Sequence, residues 1–246
     1  MDNVVYLAAS AANETMVAQT INANNLANAS TTGFRAGLIA VESVYLKGDG
    51  APSRVFASTH DNGVDHAKGA IQTTGRSLDV AVNDDGWMAV LAADGSEAYS
   101  RRGDLRVNDL GQLLDGAGRE ILGEAGPIAL PPFSEMEVGT DGTVSIVPLG
   151  EPSSTLTVID RIKLVRVEPA SLYKNSEGLL QLVDGGEAPA DASVTLTTGA
   201  LESSNVNTVE SMVRMIELAR QFETDVKIME TAQQMDQAST ELMQLS

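Results

Sequence analysis

The chain has 246 residues, no cysteine and a formal net charge of −18, from 34 acidic and 16 basic side chains. This charge argues against nucleic acid, which requires clustered Lys and Arg, and against an anionic membrane surface, and the absence of cysteine excludes disulfides and thiolate chemistry. No run approaches the roughly 20 apolar residues of a membrane span, and the N-terminus lacks the basic start of a secretory signal peptide. We therefore expect no membrane insertion and no cleaved signal.

Glycine and proline divide the sequence into three parts. Residues 1–32 and 200–246 contain neither, whereas all eight prolines and all 22 glycines lie between Gly33 and Gly199. Because these residues interrupt helices, the pattern predicts a helix at each end of the chain and a different structure between them.

The first predicted helix covers residues 4–29 and is almost uncharged. Apolar residues recur at helical spacing, most of them are small, and the charged side chains are Asp2 and Glu14 alone. Its end, "ANNLANASTTGFRA", contains three asparagines, which are mediocre helix formers. Gly33 is a natural stop signal. Because the helix has so little charge, we expect it to pack against a partner instead of facing water. We expect its Asn side-chain amides to bond to neighbouring chains.

The middle alternates strand-like runs with Asp-Gly or Asn-Gly pairs, which suit tight hairpin turns. The run from Thr155 to Val167 alternates well and predicts one long strand. We therefore predict a mostly antiparallel β domain over residues 77–198. Residues 35–76 predict an extended connection. The stretch "HDNGVDH", His60 to His66, holds the only two histidines, but its spacing matches no helical zinc pair and predicts a solvated loop.

The last predicted helix begins at Asn207, an N-cap with Glu210 three residues later. Spacings of three and four residues define a heptad seam. A second apolar line, Val209, Val213 and Ile216, flanks the seam and makes the apolar surface wider than one stripe. The seam consists of Met212, Met215, Ala219, Phe222, Val226 and Met229.

These elements predict an α+β fold, in which long N- and C-terminal helices pair as a coiled-coil-like inner domain beside a mostly antiparallel β middle domain. The predicted segments are 1–34, 35–76, 77–198 and 199–246. The helices differ in length, so a hairpin of the two would leave apolar surface exposed, which soluble monomers usually avoid. We expect self-assembly through the helices. The alternative is that both helices pack on the β sheet.

Four motifs, in order along nearly the whole chain, resemble those of the flagellar rod and hook proteins, the axial family of the bacterial flagellum. They are "NNLANASTTGFRA", "TGRSLDVAVNDDGWMAV", "YSRRGDLRVNDLGQLLDGAGREILG" and "GALESSNVNTVESMVRMIELARQFETDVKIMETAQQMD". The opening "MDNVVYLAASAANETM", the chain length and "IDRIKLVRVEPASLYKNSEGLL" are most similar to the proximal rod branch, with the distal rod protein as the nearest competitor. The family usually has Gly-x-Gly-aromatic where "NDDGW" stands here.

The resemblance implies a non-enzymatic structural subunit of the rod, a periplasmic drive shaft that transmits torque from motor to hook. It implies as partners other rod subunits, further copies of the chain and the flagellar type III export apparatus. It implies no cofactor, metal or catalytic residue. The expected assembly interface is Asn24, Asn25, Leu26, Asn28, Gly33, Phe34, Asn205, Val206, Asn207, Val209, Met212, Met215, Ile216, Phe222, Val226 and Met229.

Two alternatives stay open from the sequence. A distal rod or hook-type subunit would share the motifs. A β-domain enzyme such as a glycoside hydrolase, or a binding protein with a closed helical hairpin, would be of another class. Paired carboxylates could serve glycoside hydrolysis, but we interpret Asp84, Asp85, Asp104 and Asp141 as turn residues.

Overall fold

The computed structural model describes the backbone of residues 2–45, 55–152, 154–175 and 177–244, and the side chains of residues 4–38, 63–152, 154–175 and 177–238. The chain forms two compact units. We call them the terminal unit, made of Met1–Ala29, Gly37–Gly63 and Val206–Ser246, and the β unit, made of Ser30–Ala36 and Val64–Asn205. The predicted segments follow chain order, whereas in the structure the short segment 30–36 belongs to the β unit and the whole of 37–63 belongs to the same unit as the helices.

The terminal unit contains helix α1 (Asp2–Ala27), helix α2 (Thr208–Gln244) and a two-stranded sheet of β1 (Gly37–Tyr45) and β2 (Val55–Val64). The helices are antiparallel, because Thr15 Oγ1 lies 3.4 Å from Asp225 Oδ2 while Asn22 Nδ2 donates to the Ser211 carbonyl at 2.8 Å. The prediction that the terminal helices pack together is confirmed. Within the described part of the chain, neither helix is long and apolar enough to span a membrane.

The β unit is built from short strands, and every pair for which a register is defined is antiparallel. This confirms the predicted β-rich middle. The strands are β3 (Ile71–Thr73), β4 (Val80–Val82), β5 (Gly86–Leu91), β6 (Glu97–Ser100), β7 (Arg106–Val107), β8 (Leu113–Leu114), β9 (Phe133–Val138), β10 (Thr143–Pro148), β11 (Thr157–Arg161), β12 (Leu164–Arg166), β13 (Leu172–Lys174), β14 (Leu180–Leu182), β15 (Leu196–Thr198) and β16 (Ala200–Glu202).

A five-stranded sheet in the order β12-β5-β6-β14-β13 organises the unit, and a three-stranded sheet in the order β11-β10-β9 accompanies it. Side chains of β5 alternate between two separate apolar clusters: Met88 and Val90 enter one, Trp87 and Ala89 the other. Both faces of the larger sheet are therefore buried. This explains why the sequence of β5 is almost continuously apolar instead of alternating.

Two sequence predictions fail locally. The run from Thr155 to Val167 is two strands in different sheets, because Ile162 and Lys163 turn their amides to the carbonyls of Gly142 and Leu122 between β11 and β12. The loop predicted at residues 60–66 is also wrong in part, since β2 continues to Val64. Residues 35–76, predicted as an extended connection, hold β1, β2 and β3.

Candidate assembly surface and the junction beside it

The face of α2 that contacts α1 is a line of buried and half-buried residues spaced four and three apart. Ser211 and Asp225, both on this line, contact Asn22 and Thr15 of α1. The facing residues of α1 are small or polar, which allows the helices to approach closely. The line on α2 is Ser211, Met215, Leu218, Phe222, Asp225, Met229 and Ala232, and the most buried residues of α1 are Ala8, Ala12, Thr15, Ala18, Asn22 and Asn25.

A second face of α2 is apolar and exposed. Its residues, which we call the α2 stripe, follow the i, i+3, i+4, i+7 spacing of one helix face. Relative exposure is 69% for Val209, 54% for Met212, 50% for Val213 and 55% for Ile216. The predicted seam therefore separates into two sets. Met215, Phe222, Val226 and Met229 are half-buried, whereas Met212 lies with Val209 and Ile216 in the stripe.

The asparagines at the end of α1 bond within the chain. Asn25 Nδ2 donates to the Gly37 carbonyl at 3.0 Å, and its Oδ1 accepts from the Gly37 amide at 2.8 Å, which fixes the start of β1. Asn28 Nδ2 donates to the Asn24 carbonyl. Asn25 thus uses both its Nδ2 and its Oδ1 within the chain. The expectation that these side-chain amides bond to neighbouring chains stays a prediction. Asn24 is exposed, and Leu26 is half-buried.

Two asparagines precede α2 and have different roles. Asn207 caps the helix, because its Oδ1 accepts from the amides of Val209 and Glu210 at 3.1 and 3.3 Å. This confirms the predicted N-cap. Asn205 is bonded within the β unit: its Oδ1 accepts from the Ala36 amide at 2.8 Å, and its Nδ2 donates to the carbonyls of Asp65 and Ala67 at 3.0 Å each. Val206 between them is half-buried.

The segment Ser30–Ala36, which we call the arm, lies on the β unit. A Cβ at Gly33 would stand 2.3 Å from the carbonyl carbon and oxygen of Arg101, and Gly33 has a φ of +66°. Glycine is therefore required there for an intrachain reason. The Phe34 ring lies under the Lys174 ammonium, 4.4 Å from its centroid. An interface role for Gly33 and Phe34 would have to coexist with these contacts.

A buried ionic cluster joins the arm to the rest of the β unit. Arg35 Nη2 and Arg101 Nε each lie 2.6 Å from a different carboxylate oxygen of Glu202, and all three side chains are at most 4% exposed. The Gly69 amide also donates to Glu202. Both guanidinium groups lie near the Trp87 ring, 5.8 and 5.6 Å from its centroid. Burial lowers the pKa of Arg35, against the raising effect of Glu202.

Sequence reasoning did not find this cluster. The weak signal for it is that Arg35 ends a stretch without charged side chains that begins after Glu14.

His66 makes an edge-on contact with Trp87, with ring centroids 6.2 Å apart. Burial first, and the Arg35 charge second, lower the pKa of His66, while Asp65 opposes them.

A base with a lowered pKa binds fewer protons when folded than when unfolded. We expect the β unit to lose stability as the pH falls below the ordinary histidine value of about 6.5, until the folded-state pKa is passed. Urea unfolding followed by Trp87 emission at pH 7 and pH 5 measures this, and His66→Gln should weaken the dependence. An unchanged dependence in that variant would contradict the assignment.

Three family descriptions match the chain. "Flagella basal body rod protein" matches residues 6–35, "Flagellar hook protein FlgE/F/G D1 domain" matches 81–146, and "Flagellar basal body rod FlgEFG protein C-terminal" matches 197–242. The flagellar basal-body rod proteins FlgF of Salmonella typhimurium and of Escherichia coli are each 38% identical, over the whole of both chains. This chain belongs to the flagellar basal-body rod protein family. The FlgG rod protein of Buchnera aphidicola from Schizaphis graminum is 31% identical, over 92% of this chain and 95% of its own length. The FlgF type is therefore favoured.

The family matches and the buried cluster coincide. Arg35, Arg101 and Glu202 each fall in a different one of the three matched regions. One residue from each of the three matched regions thus contributes to a single cluster in the β unit.

Other chemistry has little support among the described residues. No group of three or more His, Asp or Glu side chains there could hold a metal ion. The side chains of His60 and Asp61 lie outside the described residues. Hydrogen bonds from Ser96, Thr143 and Ser193 lower the pKa of Asp94, Asp141 and Asp191. A general acid for glycoside hydrolysis needs a raised pKa instead.

Proposed function

We propose that this chain is a non-enzymatic subunit of the proximal rod that self-associates through exposed faces of α1 and α2. In this proposal the helices form the inner layer of a tubular assembly in the periplasm, and the β unit lies outside it. The assembled rod transmits torque from motor to hook. Subunits travel through the flagellar type III export apparatus, without a cleaved signal peptide. Family membership and the exposed apolar surface of α2 support the proposal.

The α2 stripe is the observation that carries it. Four apolar side chains on one face of a helix are at least half exposed, although α1 already covers another face of the same helix. Contiguous exposed apolar surface on a soluble protein marks an interaction site. The occupant we propose is a second copy of this chain.

Helix α1 supports the same occupant. Its exposed residues include Met16 and Val17, and its charged side chains are Asp2 and Glu14 alone. A helix face without charge neither requires an oppositely charged partner nor repels an acidic chain. Because the whole chain carries a charge of −18, copies of it can associate most readily through such uncharged faces.

We further propose that α1 and α2 pair in a coiled-coil-like manner. The buried line on α2 keeps heptad spacing from Ser211 to Ala232, and small residues occupy the facing positions of α1. Close-packed side chains resist deformation, which a shaft under torsion requires. Phe222 would then support the intrachain helix pair, with Met215, Val226 and Met229, while Val209, Met212 and Ile216 would contact other copies.

Ile216→Asp tests the proposal. We expect this variant to keep the helical content of the monomer, because Ile216 is 55% exposed, yet to abolish incorporation into rods, because a carboxylate would be buried in each contact. Thr224→Asp is the matched control: it adds the same charge at an exposed position of α2 outside the stripe. Incorporation is measured in isolated basal bodies and by motility of a strain that lacks this subunit, and helical content by circular dichroism.

Rods built normally from Ile216→Asp would remove the stripe from the interface and overturn the proposed mode of assembly. Equal loss in both variants would point to charge itself and would also contradict the role of the stripe.

A further inference from the structure

We infer that Arg35 is an anchor that docks the arm on the β unit, and that the docked arm fixes the two points from which the chain continues to α1 and α2. The inference rests on the proposed function, since it concerns how the helices are positioned for assembly. It assigns to the buried ionic cluster the role of holding the arm in a fixed position on the β unit.

The arm is attached by polar contacts. None of its residues belongs to either apolar cluster of the β unit. The Gly33 amide donates to the Glu202 carbonyl at 2.8 Å, and the Phe34 carbonyl accepts from the Asn205 amide at 3.3 Å. The Ala36 carbonyl accepts from Asp65 at 2.8 Å. Backbone bonds of this kind, on a segment without core side chains, exchange readily with water unless something holds the segment in place.

Arg35 is the buried side chain of the arm. It makes fewer hydrogen bonds than Arg101 does. Arg101 donates to Glu202 and also to the carbonyls of Asp84 and Gly86. Arg35 donates to Glu202 through Nη2, while its Nε and Nη1 are buried and have no hydrogen-bond partner among the described residues. The bond to Glu202 joins two buried charged groups, and charge-assisted bonds are stronger than bonds between neutral groups. It therefore holds the arm in one position on the β unit.

Glu202 holds the arm at two points, through its backbone carbonyl at Gly33 and its carboxylate at Arg35. Residues 202–205 lead directly to α2, and the arm follows directly from α1. The two connections therefore leave the β unit side by side. In a helical assembly, subunits that differ in this spacing would not present their helix faces in register.

The members of the cluster keep different numbers of hydrogen-bond partners when one of them is replaced. We therefore expect different effects on stability from the different substitutions. Without Arg35, Glu202 keeps Arg101 and the Gly69 amide. Arg35→Met should therefore leave the β unit folded and release the arm. Arg102→Met is the matched control, because it removes the same charge from the same unit, where Arg102 is ion-paired with Asp104 at 2.8 Å.

Trp87 reports the state of the arm, because it is the single tryptophan and the Arg35 guanidinium lies 5.8 Å from its ring centroid. With the purified full chain we expect Arg35→Met to shift the Trp87 emission to longer wavelength and to increase its quenching by acrylamide. Chymotrypsin should also cut faster after Phe34. Arg102→Met should match the unmodified chain in all three measurements. In cells that lack this subunit, Arg35→Met should lose rod incorporation and Arg102→Met should keep it.

Three results would overturn the inference: emission and cleavage of Arg35→Met that equal those of the control, a β unit that fails to fold in this variant, or normal rods from a chain whose arm is released. A failure of the proposed function has a different signature. Ile216→Asp would then build normal rods, while the Trp87 measurements on Arg35→Met would still show a released arm.

Discussion

Replacing Glu202 by Gln is expected to lower the free energy of unfolding of the β unit by about 3–5 kcal/mol. The substitution keeps the shape of the side chain but removes the one negative charge between Arg35 and Arg101, each 2.6 Å from it. Two guanidinium groups would then be buried without a carboxylate to balance their charge. Urea unfolding followed by Trp87 emission measures the change, because the two guanidinium groups lie 5.8 and 5.6 Å from the centroid of this ring.

The matched control is Asp85→Asn. Asp85 is also ion-paired, with Lys68 at 3.3 Å, but the two side chains are 80% and 49% exposed. Exposed pairs contribute about 0–1 kcal/mol, so the same chemical change should be almost neutral here. If Glu202→Gln were as mild as Asp85→Asn, the cluster would not be the buried charge centre that its geometry indicates.

Replacing Gly103 by Ala is expected to destabilise the β unit by about 3 kcal/mol, the upper end of ordinary overpacking. A Cβ at this position would stand 1.6 Å from the Val80 carbonyl oxygen and 2.7 Å from its carbonyl carbon. The obstacle is backbone, and it cannot move alone, because the Val80 amide also donates to the Gly103 carbonyl at 2.9 Å. Thermal and urea unfolding of the purified chain would measure the loss.

Gly186→Ala provides the comparison for this variant. No atom lies within 4 Å of a Cβ at Gly186, and its φ is not in the left-handed region. Reduced freedom of the unfolded chain should make the substitution neutral or stabilising by up to about 1 kcal/mol. A Gly103→Ala variant as stable as Gly186→Ala would show that the two backbone segments can separate without cost.

Local chemistry allowed the sequence to predict several elements correctly. Asn207 caps its helix through its own side chain, and Gly95 and Gly142 adopt a positive φ because glycine lacks a Cβ. The run from Thr155 to Val167 was predicted as one strand, because alternation identifies faces but not which sheet a strand joins. The switch at Ile162 depends on carbonyls of Gly142 and Leu122, which are distant in sequence.

The predicted seam on α2 differs from the buried line of the structure because the two are offset by one residue along the helix at every second position. The sequence seam began at Met212, one residue after Ser211, where the buried line begins. Because Ser211 is polar, the sequence did not indicate that it is buried, and the exposed Met212 was assigned to the seam instead. The ionic cluster escaped prediction altogether. Its members are separated by 66 and 101 positions in the sequence, and no local pattern relates one charged residue to another over such distances.

The pairing of β3 with β16 and of β4 with β15 has a consequence for the order of folding. These ladders join residues 71–73 to 200–202 and residues 80–82 to 196–198. A chain that emerges with its N-terminus first cannot form either ladder, or neutralise Arg35 and Arg101 with Glu202, until four-fifths of its length has appeared. Contacts so distant in sequence also form slowly. The topology thus delays closure of the β unit until most of the chain has emerged.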